Sequence, residues 1–393
     1  MDYKKLGKIA GISAICIAAV IFLYGRMQVD YGEYEGKEEK ATSQEGVQEK
    51  ITEFPRRYQK KVDEKLKFDV EVVCDEGIAE KGIPKANASV VSLNQQSLYE
   101  YFMGESGNVQ KEIIDNYADI DGTTGILTSY TDDKGSELWV ADKESVYGEA
   151  LTDYIYNSFC VDKNADEYNA EKYSKTSDLS FMSRTKAWDV LKDSMEKMNI
   201  DLSNARENAV YSLDAATLQE EESCIDVEGN VVEEEKKPDW SEDDEGYYYF
   251  LGQQVEGVPL YEEYTVGRGE GMELETSPLK IYQTANGISY FNISRWFSIQ
   301  EQEERYKLAP FEEIMNVLEE KYTGTVKTNP LTVKKAVLYE YPINMEDNTY
   351  TLIPVWICSL AEEIPDMEGG TYTSYFRVPI NAITGEEMPE LEE

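Results

Sequence analysis

Between Tyr247 and Phe297 the chain writes two hairpins in succession. Tyr247 to Val255 and Val258 to Val266 flank Glu256-Gly257, and Leu279 to Thr284 and Ile288 to Phe297 flank Ala285-Asn286-Gly287. Aromatic and β-branched runs joined by such short turns imply an antiparallel sheet, and Asn-Gly is the favoured pair for a type I′ turn. A helix is expected next: Pro310 opens it, Glu312 and Glu313 stand at its positive end, and Phe311, Ile314, Met315, Leu318 and Tyr322 share one face. Three further strands follow, Lys335 to Tyr341, Tyr350 to Leu360 and Thr371 to Ile380.

The first half has the same ingredients. Phe68, Val70 and Val72 alternate with charged residues, and Ile126 to Tyr130 and Glu137 to Val140 flank the polar turn Asp132-Asp133-Lys134-Gly135. Leu151, Tyr154, Ile155 and Phe159 recur at helical spacing, as do Ala187, Leu191, Met195 and Met198, with a strand at Ala209-Val210-Tyr211. That helix-then-strand order recurs at Phe311 to Tyr322 and Ala336-Val337-Leu338, either as a weak internal repeat, in which each helix would pack across a sheet, or as two unrelated pairs. Between 216 and 246 the composition turns acidic, as in Glu233-Glu234-Glu235 and Glu242-Asp243-Asp244-Glu245. Such a run usually marks a solvated linker.

From Ile9 to Gly25 run 17 residues without a charge, preceded by Lys4, Lys5 and Lys8 and followed by Arg26. That length is near the lower limit for a membrane-spanning helix, and the lysines favour a cytoplasmic N-terminus. The exit Leu23-Tyr24-Gly25-Arg26-Met27 lacks the small residues of a signal-peptide cleavage site, and Ile15 before Cys16 is too bulky for a lipidation site. The expected organisation is a cytoplasmic tail (1–8), a single-pass transmembrane anchor (9–27), a polar stalk (28–65), an N-terminal α+β lobe (66–215), an acidic linker (216–246) and a C-terminal lobe of antiparallel sheet plus helix (247–390). The fold class is thus α+β, two lobes behind a membrane helix, with everything after the anchor extracytoplasmic. Four cysteines, Cys74, Cys160, Cys224 and Cys358, fall in that part; buried thiols and two disulfides both fit their spacing.

Tyr350-Thr351-Leu352-Ile353-Pro354-Val355-Trp356 is answered by Tyr375-Phe376-Arg377-Val378-Pro379-Ile380-Asn381 and the turn residues Ala382-Ile383-Thr384-Gly385-Glu386. This pair resembles the closing hairpin of PepSY-like domains and of the related YycH and YycI proteins of Gram-positive bacteria, over residues 247–388 at most. The resemblance implies a helix packed on an antiparallel sheet, and a non-catalytic partner of a sensor kinase. It transfers no catalytic residue. Trp356 and Ile380 have the character of core residues, Gly385 of a turn needing positive φ, and Asn381 and Thr384 of turn-backbone acceptors.

Composition removes several chemistries. The chain has no histidine, which excludes Ser-His-Asp and Cys-His catalysis and histidine-ligated zinc. Its formal charge is −40, and residues 66–393 carry 26 basic against 67 acidic side chains, so phosphate backbones are repelled and no nucleic-acid partner is expected. Ser194-Met195-Glu196-Lys197 fits S-x-x-K, but no K-T-G completes the set. Asp162, Asn164 and Asp166 begin a calcium-loop spacing that Glu167 and Tyr173 break, Asp119 and Asp121 fail the same test, and Gly267-Arg268-Gly269-Glu270-Gly271 matches no phosphate loop. No catalytic, cofactor-binding or metal-ligating residue is assigned. The function expected is that of a membrane-anchored protein that binds another protein without catalysis. The alternative is a carbohydrate-active enzyme or sugar-binding module using a carboxylate pair and exposed aromatics. Tyr247-Tyr248-Tyr249 puts rings on both faces of its strand, which leaves room for one exposed ring, although packing is the main use expected of the aromatics.

Overall fold

The computed structural model describes residues 53–118, 123–163, 165–224, 232–233, 236–262, 274, 276–323, 328–345, 349–365 and 370–388. It is mostly β, with 46% strand and 20% helix. The first sheet takes strands from both ends of the chain: β1 (Arg57–Lys61), β2 (Leu66–Val73) and β3 (Ile83–Val90), then β13 (Phe297–Tyr306), β14 (Leu331–Asn344), β15 (Thr349–Pro365) and β16 (Thr371–Asn381). Their order is β1-β2-β14-β15-β3-β13, with β16 also on β15.

The second sheet is inserted between β3 and β13. It contains β4 (Val109–Ala118), β5 (Thr124–Asp132), β6 (Glu137–Val140), β7 (Glu144–Gly148), β8 (Ala205–Leu213), β9 (Gly246–Val255), β10 (Val258–Pro259), β11 (Leu279–Thr284) and β12 (Gly287–Ser294). The order is β10-β9-β11-β12-β7-β6-β5-β4, with β8 also on β9.

Helices cover both faces of the second sheet. On one face lie α1 (Gln95–Met103), capped by the Asn94 side chain, and α3 (Arg184–Lys197), capped by Ser183. They bury Leu98, Met103, Ala187, Leu191 and Met195 against Tyr247, Tyr249, Leu251 and Phe291. On the other face lie α2 (Ala150–Ser158) and α4 (Ala215–Glu221). Ile155, Phe159 and Leu218 there meet Tyr211, Tyr248, Phe250 and Tyr282. In the first sheet α5 (Phe311–Thr323) packs Phe311, Ile314, Met315 and Leu318 on Leu338, Trp356, Cys358 and Ile380. Each such side chain, once fully buried, contributes about 1.5–3 kcal/mol relative to exposure.

Three polar contacts join the sheets, beside an apolar cluster that sets Val255 and Leu260 against Ala88, Tyr350 and Leu352. The buried Gln253 amide donates through Nε2 to Phe297 O and accepts from Phe297 N through Oε1, both at 2.8 Å. Beyond β10 the chain crosses to the first sheet, where Leu260 bridges Glu340 and Tyr261 N donates to Glu340 O. The turn between β9 and β10 takes positive φ at both Glu256 and Gly257. Arg305 grips that turn through both Glu256 carboxylate oxygens, at 3.1 and 2.6 Å, while its guanidinium also donates to the carbonyls of Lys81 and Gly82.

Several expectations are corrected. The α+β class gives way to a mostly β molecule, because β1, β4 and much of β13 are polar strands whose exposed faces carry no apolar alternation. The lobes do not follow chain order, and residues 216–246 do not separate the two sheets: β8 and β9, on either side of them, pair from Ala205↔Gln253 to Leu213↔Gly246. That stretch is knitted down. Glu222 accepts from Lys237 N and Trp240 Nε1, and Asp244 from Lys237 Nζ and Ser241. Burial acts to raise the Asp244 carboxyl, but those donors outweigh it and hold it below the usual carboxylate range. The stalk 28–65 ends in β1, a strand of the first sheet. Among the described residues no helix is long and apolar enough to cross a membrane. The longest, α3, has 14 residues, and at ~1.5 Å per residue falls short of a bilayer core of ~30 Å. The single-pass membrane reading is withdrawn; the segments on which it rests, 1–8 and 9–27, lie outside the described residues. The Asn-Gly turn is not type I′ either, since positive φ occurs at Gly287 and not at Asn286.

Replacing Gln253 by Met removes both bonds to Phe297 and leaves that buried backbone pair unsatisfied. Such a loss costs about 2–4 kcal/mol, read as a lower urea midpoint for Gln253→Met than for wild type.

Candidate functional site

Of the residues singled out for chemistry, Ser194 and the tyrosine triplet are engaged in structure. Ser194 Oγ donates to Val190 O and accepts from Tyr101 Oη, so it is tied to its own helix. Asp162 and Asp166 flank Asn164, which lies outside the described residues, as do Asp119, Asp121 and Gly267–Gly271. Among the described residues no group of three His, Cys, Asp or Glu stands close enough to hold a metal ion. Tyr247, Tyr248 and Tyr249, which the sequence leaves open to packing or to one exposed ring, alternate between two covered faces and are all buried. Cys74 and Cys358 are thiols: burial, with some help from Asp75, raises Cys74 to about 11, and burial raises Cys358 to about 12.

The open geometry lies at the far end of the second sheet. There, among the described residues, β4 pairs with β5 alone, and every residue from Gln110 to Asn116 is exposed. Ile113 is 56% exposed, Ile114 37% and Ile126 57%. Consecutive strand residues face opposite ways, so the adjacent isoleucines put one apolar side chain on each face. Opposite residues share a face, so the pairs Lys111↔Tyr130, Ile113↔Thr128 and Asp115↔Ile126 lie together on the side that α1 covers. The Lys111 ammonium sits 5.5 Å from the centroid of the Tyr130 ring.

The helix stops short of this corner. Gln95, its first residue, donates to Tyr130 Oη. Beyond it opens a cleft of about 760 Å³ with Thr128 and Val140 in its lining, together with Leu93, Ile126, Asp115 and Asp142. Its described lining includes those two carboxylates and neither a cation nor an aromatic ring. Asn116, with φ +59, occupies the register shift between Asp115 and Tyr117, so that β4 carries an extra residue beside the cleft. Tyr117 then donates to Glu144 Oε1 at 2.5 Å and fastens the end of β4 to β7.

A smaller hollow of about 300 Å³ is lined by Phe54, Tyr58, Phe311, Glu53 and Glu312. At the join of the sheets Glu340 is fully buried, and neither of its carboxyl oxygens has a hydrogen-bond partner among the described residues. Burial, with the Glu301 charge adding to it, raises this carboxyl to about 8.

No protein-family model matches the chain, and no curated protein does. Among solved structures it is similar to the crystal structure of an uncharacterised protein from Eubacterium rectale ATCC 33656, with a TM-score of 0.54 and 15% identity. That likeness covers 85% of this chain and 93% of the other, and it is a likeness of fold.

The open edge was missed from sequence, although Lys111-Glu112-Ile113-Ile114-Asp115 carries a signal for it: two adjacent isoleucines in a charged run suit a strand exposed on both faces. Glu340 supplies a pH dependence. Its folded form keeps the proton between its ordinary value of 4.5 and about 8 while the unfolded chain releases it, so this contribution is complete below pH 4.5 and lost as pH rises through 8. Glu340→Gln should remove a fall of up to about 5 kcal/mol over that window, measured as unfolding free energy at pH 5, 7 and 9.

Proposed function

We propose that the protein acts by binding another protein, performs no chemistry of its own, and receives an extended segment of its partner on β4. The observation that carries this is the ten-residue edge strand, exposed on both faces with isoleucines at its centre. An edge strand presents outward N–H and C=O groups that a further strand can satisfy. Added strands take affinity from the backbone and specificity from the alternating side chains. Ile113, Ile114 and Ile126 supply exposed apolar surface next to a cleft, a combination that suits association better than a turnover site. The resemblance to YycH and YycI, which act as non-catalytic partners, supports the same class of role.

The carbohydrate-directed alternative gains little. Sugar sites stack pyranose rings on aromatic faces; the β4 cleft's described lining has none, and in the smaller hollow Phe54, Tyr58 and Phe311 pack edge-on against one another and Trp356. The tyrosine triplet that suggested such a surface is interior.

A photo-crosslinking residue at Ile113 should give a discrete adduct in the producing cell, and Ile126→Asp should abolish it. In the purified complex the β4 amide hydrogens should exchange more slowly than in the free protein. An adduct without β4 protection, or turnover of a glycan by the purified chain, overturns the proposal.

A further inference from the structure

Resting on the reading of β4 as the docking strand, we infer that the segment it accepts runs antiparallel to it and has the pattern basic, apolar, apolar, basic, acidic. A strand laid along an edge places each residue opposite one of the host, on the same face. Along β4 the hosts are, in reverse order, Asp115, Ile114, Ile113, Glu112 and Lys111, all exposed. Opposite-charge and apolar cross-strand pairs stabilise a ladder, and like charges oppose it. The complement is therefore a cation against Asp115, two apolar side chains against the isoleucines, a cation against Glu112 and a carboxylate against Lys111. Antiparallel is the sense in which every pair of strands in this sheet runs.

The residue opposite Asp115 meets more than a surface charge. Asp115 lines the cleft, whose lining also includes Asp142, and about 760 Å³ accommodates a long side chain in a cleft of negative charge. Arginine fits this position better than lysine, because its planar fork can donate two parallel bonds to the Asp115 carboxylate. A second copy of this chain does not suit the edge. Pairing β4 with itself about Ile113 and Ile114 sets Glu112 against Asp115 twice over, and two chains of formal charge −40 repel. The occupant is thus a different protein with a basic extended segment.

The probe is a fluorescein-labelled synthetic peptide, Arg-Ile-Val-Lys-Glu framed by glycine and serine, titrated into the full chain and read by anisotropy. Saturable binding is expected. Asp115→Lys, a change at an exposed position checked for folding by circular dichroism, should weaken it about fivefold or more. A peptide with Glu in place of the leading Arg should recover the loss on the Asp115→Lys protein while binding wild type poorly. N-methylation of alternate backbone nitrogens on the edge-facing side should abolish binding with the side chains intact. If Asp115→Lys has no effect, or the charge-swapped peptide does not recover binding, the pattern is overturned. The docking reading then still stands or falls on β4 protection in the crosslinked complex. Binding that survives N-methylation overturns the ladder geometry itself.

Discussion

The Gln253 side chain does the work of a strand at the point where the chain passes from one sheet to the other. A primary amide offers one donor and one acceptor side by side, the same pair that a peptide group presents to a β-ladder. By matching both to Phe297 it continues the hydrogen bonding of β9 onto the first residue of β13. Burial makes the match compulsory, since an unpaired backbone group there has no water to turn to. The crossing of Leu260 onto Glu340 and the Arg305 clamp on the β9–β10 turn act nearby, so polar geometry and the apolar cluster around Val255 and Tyr350 together set the sheets within a few residues.

Local pattern made a good part of the fold legible. The helical faces of α3 and α5, the β5–β6 and β11–β12 hairpins, and the strands β14 to β16 all follow from apolar spacing, because each buries one side on a core that its own sequence advertises. What local pattern could not carry was partnership. That β2 runs parallel to β14, and that β3 meets β13, depends on residues hundreds of positions apart. The polar edges β1 and β4 escaped for the opposite reason, being strands with little to bury. The turn chemistry misled in an instructive way. Asn286-Gly287 lacks the paired positive φ that its sequence favours, while Glu256 adopts it beside Gly257, its carboxylate held by Arg305.

Acidic residues serve two ends in this molecule. Some are structural acceptors: Asp132 bonds the backbone of its own hairpin turn, and Glu222 and Asp244 bond an irregular segment to the sheet beneath it. The remainder give the surface one dominant sign, and that sign acts on encounter before any contact forms. Against such a background the isoleucine pair of β4 stands as exposed apolar surface in a negative field.

The interleaving of the sheets has a consequence for biosynthesis. β1, β2 and β3 leave the ribosome first, yet Leu66 and Phe68 find their parallel neighbours only at Leu331 and Val333. The inserted sheet, β4 to β12, is complete in the nascent chain well before that. The N-terminal strands must therefore wait, unpaired with β14, while the inserted sheet matures, and the first sheet closes only once the last strands emerge. Long-range pairing of this kind is slow to form and leaves apolar edges open meanwhile. A ribosome stalled beyond β12 would hold one finished body and one orphaned hairpin.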